Sequence, residues 1–156
     1  MALLPAVSAQ GDILTILWSP KLEIGIRQID LQHRELVEII NELESAHMTG
    51  RDALVLEDIL PRLQVYALFH FNEEEVLAEK IATEPAHVAR HIAEHRDFSE
   101  KISTFRIDPQ EAASPTVADL ANYLQTWVLR HILQTDRQLA DMYHSHQQIV
   151  RKRREA

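Results

Sequence analysis

His91-Ile-Ala-Glu-His95-Arg-Asp-Phe98 sets two imidazoles four residues apart and a phenyl ring three residues further on. Residues at these intervals lie on one face of a helix. Ile102 and Phe105 continue that face, so the spacing predicts a helix that starts after Pro85 and ends near Ile107. Upstream, His70-Phe-Asn-Glu-Glu74 repeats the device with an imidazole and a carboxylate. It sits on an expected helix over about 52–81, whose inward stripe is Leu63, Tyr66, His70, Glu74, Leu77 and Ile81. Pro61 either kinks that helix or follows a short turn, with a new start capped near Asp58. Further upstream, Asp30 is the expected N-cap of a first helix reaching Met48 and stopped by Thr49-Gly50. Leu36, Val37, Ile40 and Leu43 extend the face that His33 begins.

Downstream, Asp108-Pro109 opens a loop. Ser114-Pro115 reads as an N-cap followed by proline at the first helical position. The fourth helix then runs to about Val150, with Leu120, Leu124, Trp127, Val128, His131, Leu139 and Met142 inside. Residues 1–30 are interrupted by Pro5, Gly11, Pro20 and Gly25 and read as an irregular arm. Trp18, Ile24, Ile26 and Ile29 would lay that arm across the outside of the core. The expected fold is all-α: an up-down-up-down four-helix bundle over 31–156, with the arm 1–30 packed on it as one domain.

Composition narrows the function. The chain has 156 residues, enough for one domain with a real core, and no apolar run near the ~20 residues that span a bilayer. A net charge of −8 argues against nucleic acid or an anionic membrane as partner. The basic run Arg151–Arg154 reads as a solvated helix end. The first residues carry no Lys or Arg and are short for a secretory leader, so the cytoplasm is the expected compartment. With no cysteine, a bound metal must be held by nitrogen and oxygen.

Seven side chains could supply those atoms: His33, His70, Glu74, His91, His95, His131 and Asp136. Each motif alone has a bland explanation, a surface ion pair or a hydrogen-bonded core histidine. Together they lie on the inward faces of four helices, where unpaired charge costs several kcal/mol per group. Bound cations would turn that cost into coordination. Seven ligands exceed the four of a structural zinc and suit two adjacent transition metals bridged by carboxylates. Asp136 lies five residues after His131, about 140° round an ideal helix. A π-bulge between them would bring both to one face. His47, His87, His144 and His146 fall near helix ends or off the stripes and are read as surface residues.

The segments Ile29-Asp-Leu-Gln-His33, His70-Phe-Asn-Glu-Glu74, His91-Ile-Ala-Glu-His95-Arg-Asp-Phe98 and Trp127-Val-Leu-Arg-His131-Ile-Leu-Gln-Thr-Asp136 resemble those of the hemerythrins, especially the single-domain bacterial ones, in the same order over roughly residues 18–140. The resemblance implies a non-haem di-iron centre that binds O2 reversibly, not an enzyme. By that analogy His91, His95 and His131 would hold one iron and His33 and His70 the other. Glu74, Asp136 and a solvent-derived oxo or hydroxo group would bridge them. The first iron would then be saturated and the second would keep an open position for O2. Leu36, Phe71, Phe98, Trp127 and Val128 would form a dry wall around it.

Two departures from the family pattern stand out. The stretch between Glu74 and His91 is slightly longer than usual, which leaves His87/His91 as an alternative pairing to His91/His95. The latter is preferred because Phe98 follows His95 at the family's spacing. Val128 stands where relatives often have leucine, which predicts faster autoxidation than a Val128→Leu variant. The competing functions are an O2 or redox sensor signalling to a partner and a di-iron oxidase, peroxidase or nitric-oxide-handling enzyme. O2 is the expected partner, no protein partner is indicated, and the chain is expected to be a monomer or weak oligomer.

Overall fold

The structure, a computed structural model, describes residues 15–81 and 84–156, and all regular structure among them is helical. Pro5, Gly11 and the rest of the first half of the expected arm lie outside the described residues. Four long helices form the bundle. They are α1 (Arg27–Met48), α2 (52–80), α3 (Pro85–Thr104) and α4 (117–155). Gln28 hydrogen-bonds Glu73 while Gln32 hydrogen-bonds His70, so rising numbers on α1 meet falling numbers on α2 and the two run antiparallel. Across the other side of α1, buried Gln125 of α4 donates to buried Glu44 at 2.7 Å.

The helical stripes bury as their spacing requires. Ile40 and Leu43 of α1, Ile59 and Leu63 of α2, and Leu120 and Leu124 of α4 are all inaccessible to solvent or nearly so. Each such aliphatic side chain stabilises the fold by about 1.5–3 kcal/mol. On α3, His91, His95, Phe98, Ile102 and Phe105 are all buried. Tyr66, Leu77 and Met142, placed on the inward stripes, are only half-buried at the seams.

Several boundaries differ from the sequence expectation. Helix α1 begins at Arg27, three residues before Asp30, with Ile26 at the N-cap position. The Asp30 carboxylate instead accepts hydrogen bonds from the Ile24 and Gly25 amides, at 2.8 and 3.1 Å, and ties down the chain that enters the helix. Gly25 has φ +85°, a conformation that favours glycine, and a Cβ there would also press on the His144 ring, 3.0 Å from its Nε2. Leu22, Ile24 and Ile26 are buried against the bundle, and Arg34 lies over the Trp18 ring at 5.2 Å.

Ser114-Pro115 does not start α4. Thr116 does, through a reciprocal capping box with Asp119. The Ser114 hydroxyl is drawn back to accept from the Asp108 amide. Helix α3 stops at Thr104, short of Ile107, and α4 continues past Val150 to Glu155. The helix runs through Pro61, and no fresh cap stands at Asp58. The helix opens at Asp52–Leu54, passes through a π-turn at Val55–Ile59, and resumes at Leu60–Lys80. The wider turn directly before the proline accommodates a residue that has no N–H to give to the preceding turn.

Candidate metal centre

All seven candidate ligands are buried at 0–3 % exposure, and every helix contributes at least one. His33 comes from α1, His70 and Glu74 from α2, His91 and His95 from α3, and His131 and Asp136 from α4. His131–Asp136 is a π-turn. Widening to i→i+5 bonding carries Asp136 back over His131, which meets the expectation raised by their spacing.

Their atoms converge as two overlapping groups. Glu74, His91, His95, His131 and Asp136 form one, and His33, His70, Glu74 and Asp136 form the other. Within each group the potential ligand atoms lie within 4.8 Å of one another. The two carboxylates belong to both groups and divide their oxygens between them. Glu74 Oε1 faces His33 Nε2 at 3.3 Å and His70 Nε2 at 3.2 Å. Glu74 Oε2 faces His91 at 3.3 Å and His95 at 3.0 Å. Asp136 Oδ2 stands 3.0 Å from His33, while Oδ1 stands 3.0 Å from both His91 and His131.

Those approaches differ from an ordinary buried salt-bridge network. Both Asp136 oxygens are fully buried and neither makes a hydrogen bond, although three imidazole nitrogens lie 3.0 Å away. The potential ligand atoms gather around two foci, one within each group. Buried polar atoms without a partner are rare, and a cation at each focus would satisfy them. Imidazole and carboxylate without sulfur suit first-row transition metals. The residues therefore fit a pair of such ions.

Electrostatics agree. Burial alone would discharge Glu74 and Asp136. For Asp136 the mutual repulsion of the two carboxylates adds to this, yet the surrounding imidazoles hold both carboxyls well below the ordinary carboxylate range. Burial also opposes charge on His33 and His91, but the close approach of the Asp136 and Glu74 carboxylates overcomes it and raises each to about 9. His131 is raised well above its usual value by the same carboxylates, against burial. For His95 burial prevails and lowers the pKa. Without metal, protons on some imidazoles supply the positive charge that metal ions would otherwise bring.

A second set of side chains orients the rings, and sequence reasoning missed most of it. Every inward nitrogen is Nε2. On the outward side, Gln32 Oε1 lies 2.8 Å from His70 Nδ1, Glu75 lies 2.8 Å from His95 Nδ1, and Glu94 lies 2.6 Å from His131 Nδ1. Thr135 also donates to Glu94. The bond from His131, ahead of the opposing effect of burial, pulls Glu94 down to about 2. Such partners fix ring tautomer and orientation. The available signal was a polar residue adjacent in sequence to a ligand, as with Gln32, Glu75 and Glu94.

His87 is the clear correction. It is not a surface residue but is 4 % exposed, with Nε2 at 3.2 Å from His91 Nδ1. It belongs to neither ligand group, whereas His91 and His95 share one. Burial and then the neighbouring His91 lower its pKa, so the neutral ring can accept the His91 Nδ1–H. His87→Leu removes that acceptor and is expected to lower metal affinity by about tenfold, within the range for outer-shell partners. Competition titration with a chelator measures it, and unchanged affinity would reduce His87 to a core residue. Of the other three histidines, His144 is exposed, His47 is half-buried against Asp52 at 2.8 Å, and His146 is half-buried with an enclosed Nδ1.

The five expected wall residues are all buried, but they are unevenly placed. Phe71 stacks on His95 at 3.9 Å between centroids and Trp127 stacks on His131 at 4.4 Å. Phe98 contacts both aromatics, at 5.4 and 4.4 Å. This trio backs the three-histidine group. Leu36 lies one turn beyond His33 on α1, and Val128 one turn before His131 on α4.

The Hemerythrin HHE cation binding domain model matches residues 24–143. The chain is 31% identical over 129 residues to a Bacteriohemerythrin of Clostridium acetobutylicum, covering 80% of this chain and 98% of that one. A Bacteriohemerythrin of Pseudomonas aeruginosa is 30% identical over 141 residues, 90% of each chain. One from Stenotrophomonas maltophilia is 32% identical over 131 residues, 84% of this chain and 83% of its own length.

Proposed function

The chain belongs to the hemerythrin family, and on that premise we propose that it binds O2 reversibly at a di-iron centre, for storage, delivery or scavenging. The observation that carries this reading is the division of labour in the two carboxylates. Each of Glu74 and Asp136 directs one oxygen to the His33 side and the other to the His91 side. When bound, the iron pair supplies the electrons and the open coordination position that hold O2.

The protein's part is to build unequal halves. His91, His95 and His131 give one side three nitrogens, and His33 and His70 give the other two. With Glu74 and Asp136 common to both sides, the two-histidine side of His33 and His70 would be the one to leave room for O2. No side chain is required there as acid or base. Phe71, Phe98 and Trp127 keep water from the backs of His95 and His131, and Leu36 presents an aliphatic surface next to His33. A dry, low-dielectric surround disfavours escape of charged reduced oxygen. No described helix is long and apolar enough to cross a membrane.

Val128, 2 % exposed, tests the wall. Val128→Leu adds a methylene to it, and slower autoxidation than in the parent is expected; equal rates would remove Val128 from the barrier. The decisive experiment is anaerobic reduction followed by aeration, monitored by visible spectroscopy on metal-quantified protein. A charge-transfer band that appears with air, disappears on deoxygenation and scales with two irons per chain is the expected result. Protein that stays colourless, or turns over a reductant continuously, would overturn the reading.

A further inference from the structure

We infer that the outward face of α2 is a self-association surface that closes on a second copy of this chain in antiparallel register. Arg62, Val65, Phe69, Asn72, Val76 and Glu79 follow one another at alternating intervals of three and four residues, and all six are exposed. That is the spacing of a coiled-coil seam. Val65 is 71% exposed, Phe69 50% and Val76 53%, and Leu68 beside them is 52% exposed. The residues of α2 that face its own bundle, among them Leu63, His70, Glu74 and Ala78, are buried on the opposite side. The outer row is therefore a second apolar stripe on a helix whose core stripe is already used. Scattered exposed aliphatic residues are ordinary on any surface, whereas a contiguous row marks an interaction site.

The seam's own chemistry selects the occupant. Its ends carry opposite charges, Arg62 at one and Glu79 at the other, with valines and a phenylalanine between. Consider a two-fold axis midway between Phe69 and Asn72. Arg62 of each copy then faces Glu79 of the other, Val65 faces Val76, and Phe69 faces Asn72. Parallel pairing would set Arg62 against Arg62 and Glu79 against Glu79. The pattern is thus complementary to itself only when reversed, as a closed isologous dimer requires. A single polar Asn within an apolar seam is a known way to specify register.

Two features keep the association weak. Arg62 already pairs with Glu42 of its own chain, although both are about half exposed and that pair can be exchanged at little cost. Glu73, beside the axis, would approach its symmetry mate; Gln28 holds it at 2.8 Å. The seam covers 62–79, roughly 27 Å of helix at 1.5 Å per residue, which is small for a permanent interface. The face is on the side of α2 away from the metal-ligating residues, so the inference does not depend on what the centre binds.

Sedimentation velocity on the full metal-loaded chain, from about 1 to 200 µM, tests this over the range expected of a small interface. The parent is expected to dimerise reversibly with concentration, and Phe69→Lys to remain monomeric. Glu79→Arg is expected to weaken the dimer by roughly tenfold or more through like-charge contact with Arg62 of the other copy. The double variant Arg62→Glu/Glu79→Arg is expected to recover it. Circular dichroism and metal content confirm that each variant is folded, since all these positions are exposed. A parent monomeric throughout, a dimer indifferent to Phe69→Lys, or no recovery in the double reversal would each overturn the proposal.

Discussion

Glu74→Leu is expected to abolish paired metal loading, reducing the chain from two bound irons to one or none. Among the described residues Glu74 is the one carboxylate paired with all five inward imidazole nitrogens, at 3.0–3.9 Å. It also serves both ligand groups. Without it each half loses an oxygen at once, and one negative charge that offsets two divalent ions disappears. Outer partners such as Glu75 and Glu94 cannot replace it, because they sit on the Nδ1 side of their rings. Removing one member of a buried charged cluster generally costs about 3–5 kcal/mol. Here deprotonation of the imidazoles relieves part of that, so the larger effect is on metal stoichiometry. Metal quantification after reconstitution measures it. Two irons per chain in Glu74→Leu, with parental affinity, would show that the carboxylate does not bridge.

Metal loading is expected to strengthen steeply with pH. His33 and His91 are each raised to about 9 in the metal-free centre, so both carry a proton at neutral pH. A coordinating imidazole must be neutral, so each proton has to leave. Well below pH 9 the apparent affinity should rise roughly tenfold per pH unit for each proton released, hence about a hundredfold for these two. Chelator competition at several pH values between 6 and 8, with proton release followed by an indicator dye, gives the slope directly. A flat profile would contradict proton-for-metal exchange.

The same groups set the opposite trend for the metal-free fold. Their folded pKa lies above the unfolded value of 6.5. The stability they contribute is complete below pH 6.5 and is lost as pH rises towards and through 9. Glu74 and Asp136 are depressed and contribute above the ordinary carboxylate pKa, losing that stability as pH falls. The metal-free protein should therefore melt highest in mild acid, and the stabilisation gained from metal should grow towards alkaline pH.

Much of this was legible in the linear chain because helical periodicity is a local property. His70 with Glu74, and His91 with His95, declare their shared faces by spacing alone. Even the π-turn at His131–Asp136 follows from a five-residue interval that a regular helix cannot reconcile. His87 was misread because it stands four residues before His91 near the start of α3, a position whose burial depends on what lies opposite. The N-cap at Asp30 was misread for a related reason. Its carboxylate does tie down backbone amides, but those of Ile24 and Gly25 in the incoming arm, while the helix begins earlier at Arg27.

Four amphipathic helices, seven inward side chains and a ligand chemistry without sulfur are already written in the order of the residues. Packing settles which oxygen of Glu74 and Asp136 faces which histidines, that His87 stands behind His91, and that Gln32, Glu75 and Glu94 hold His70, His95 and His131. Periodicity specifies the face on which a side chain emerges. Helix rotation, tilt and axial offset specify what it meets there, and these come from packing all four helices at once.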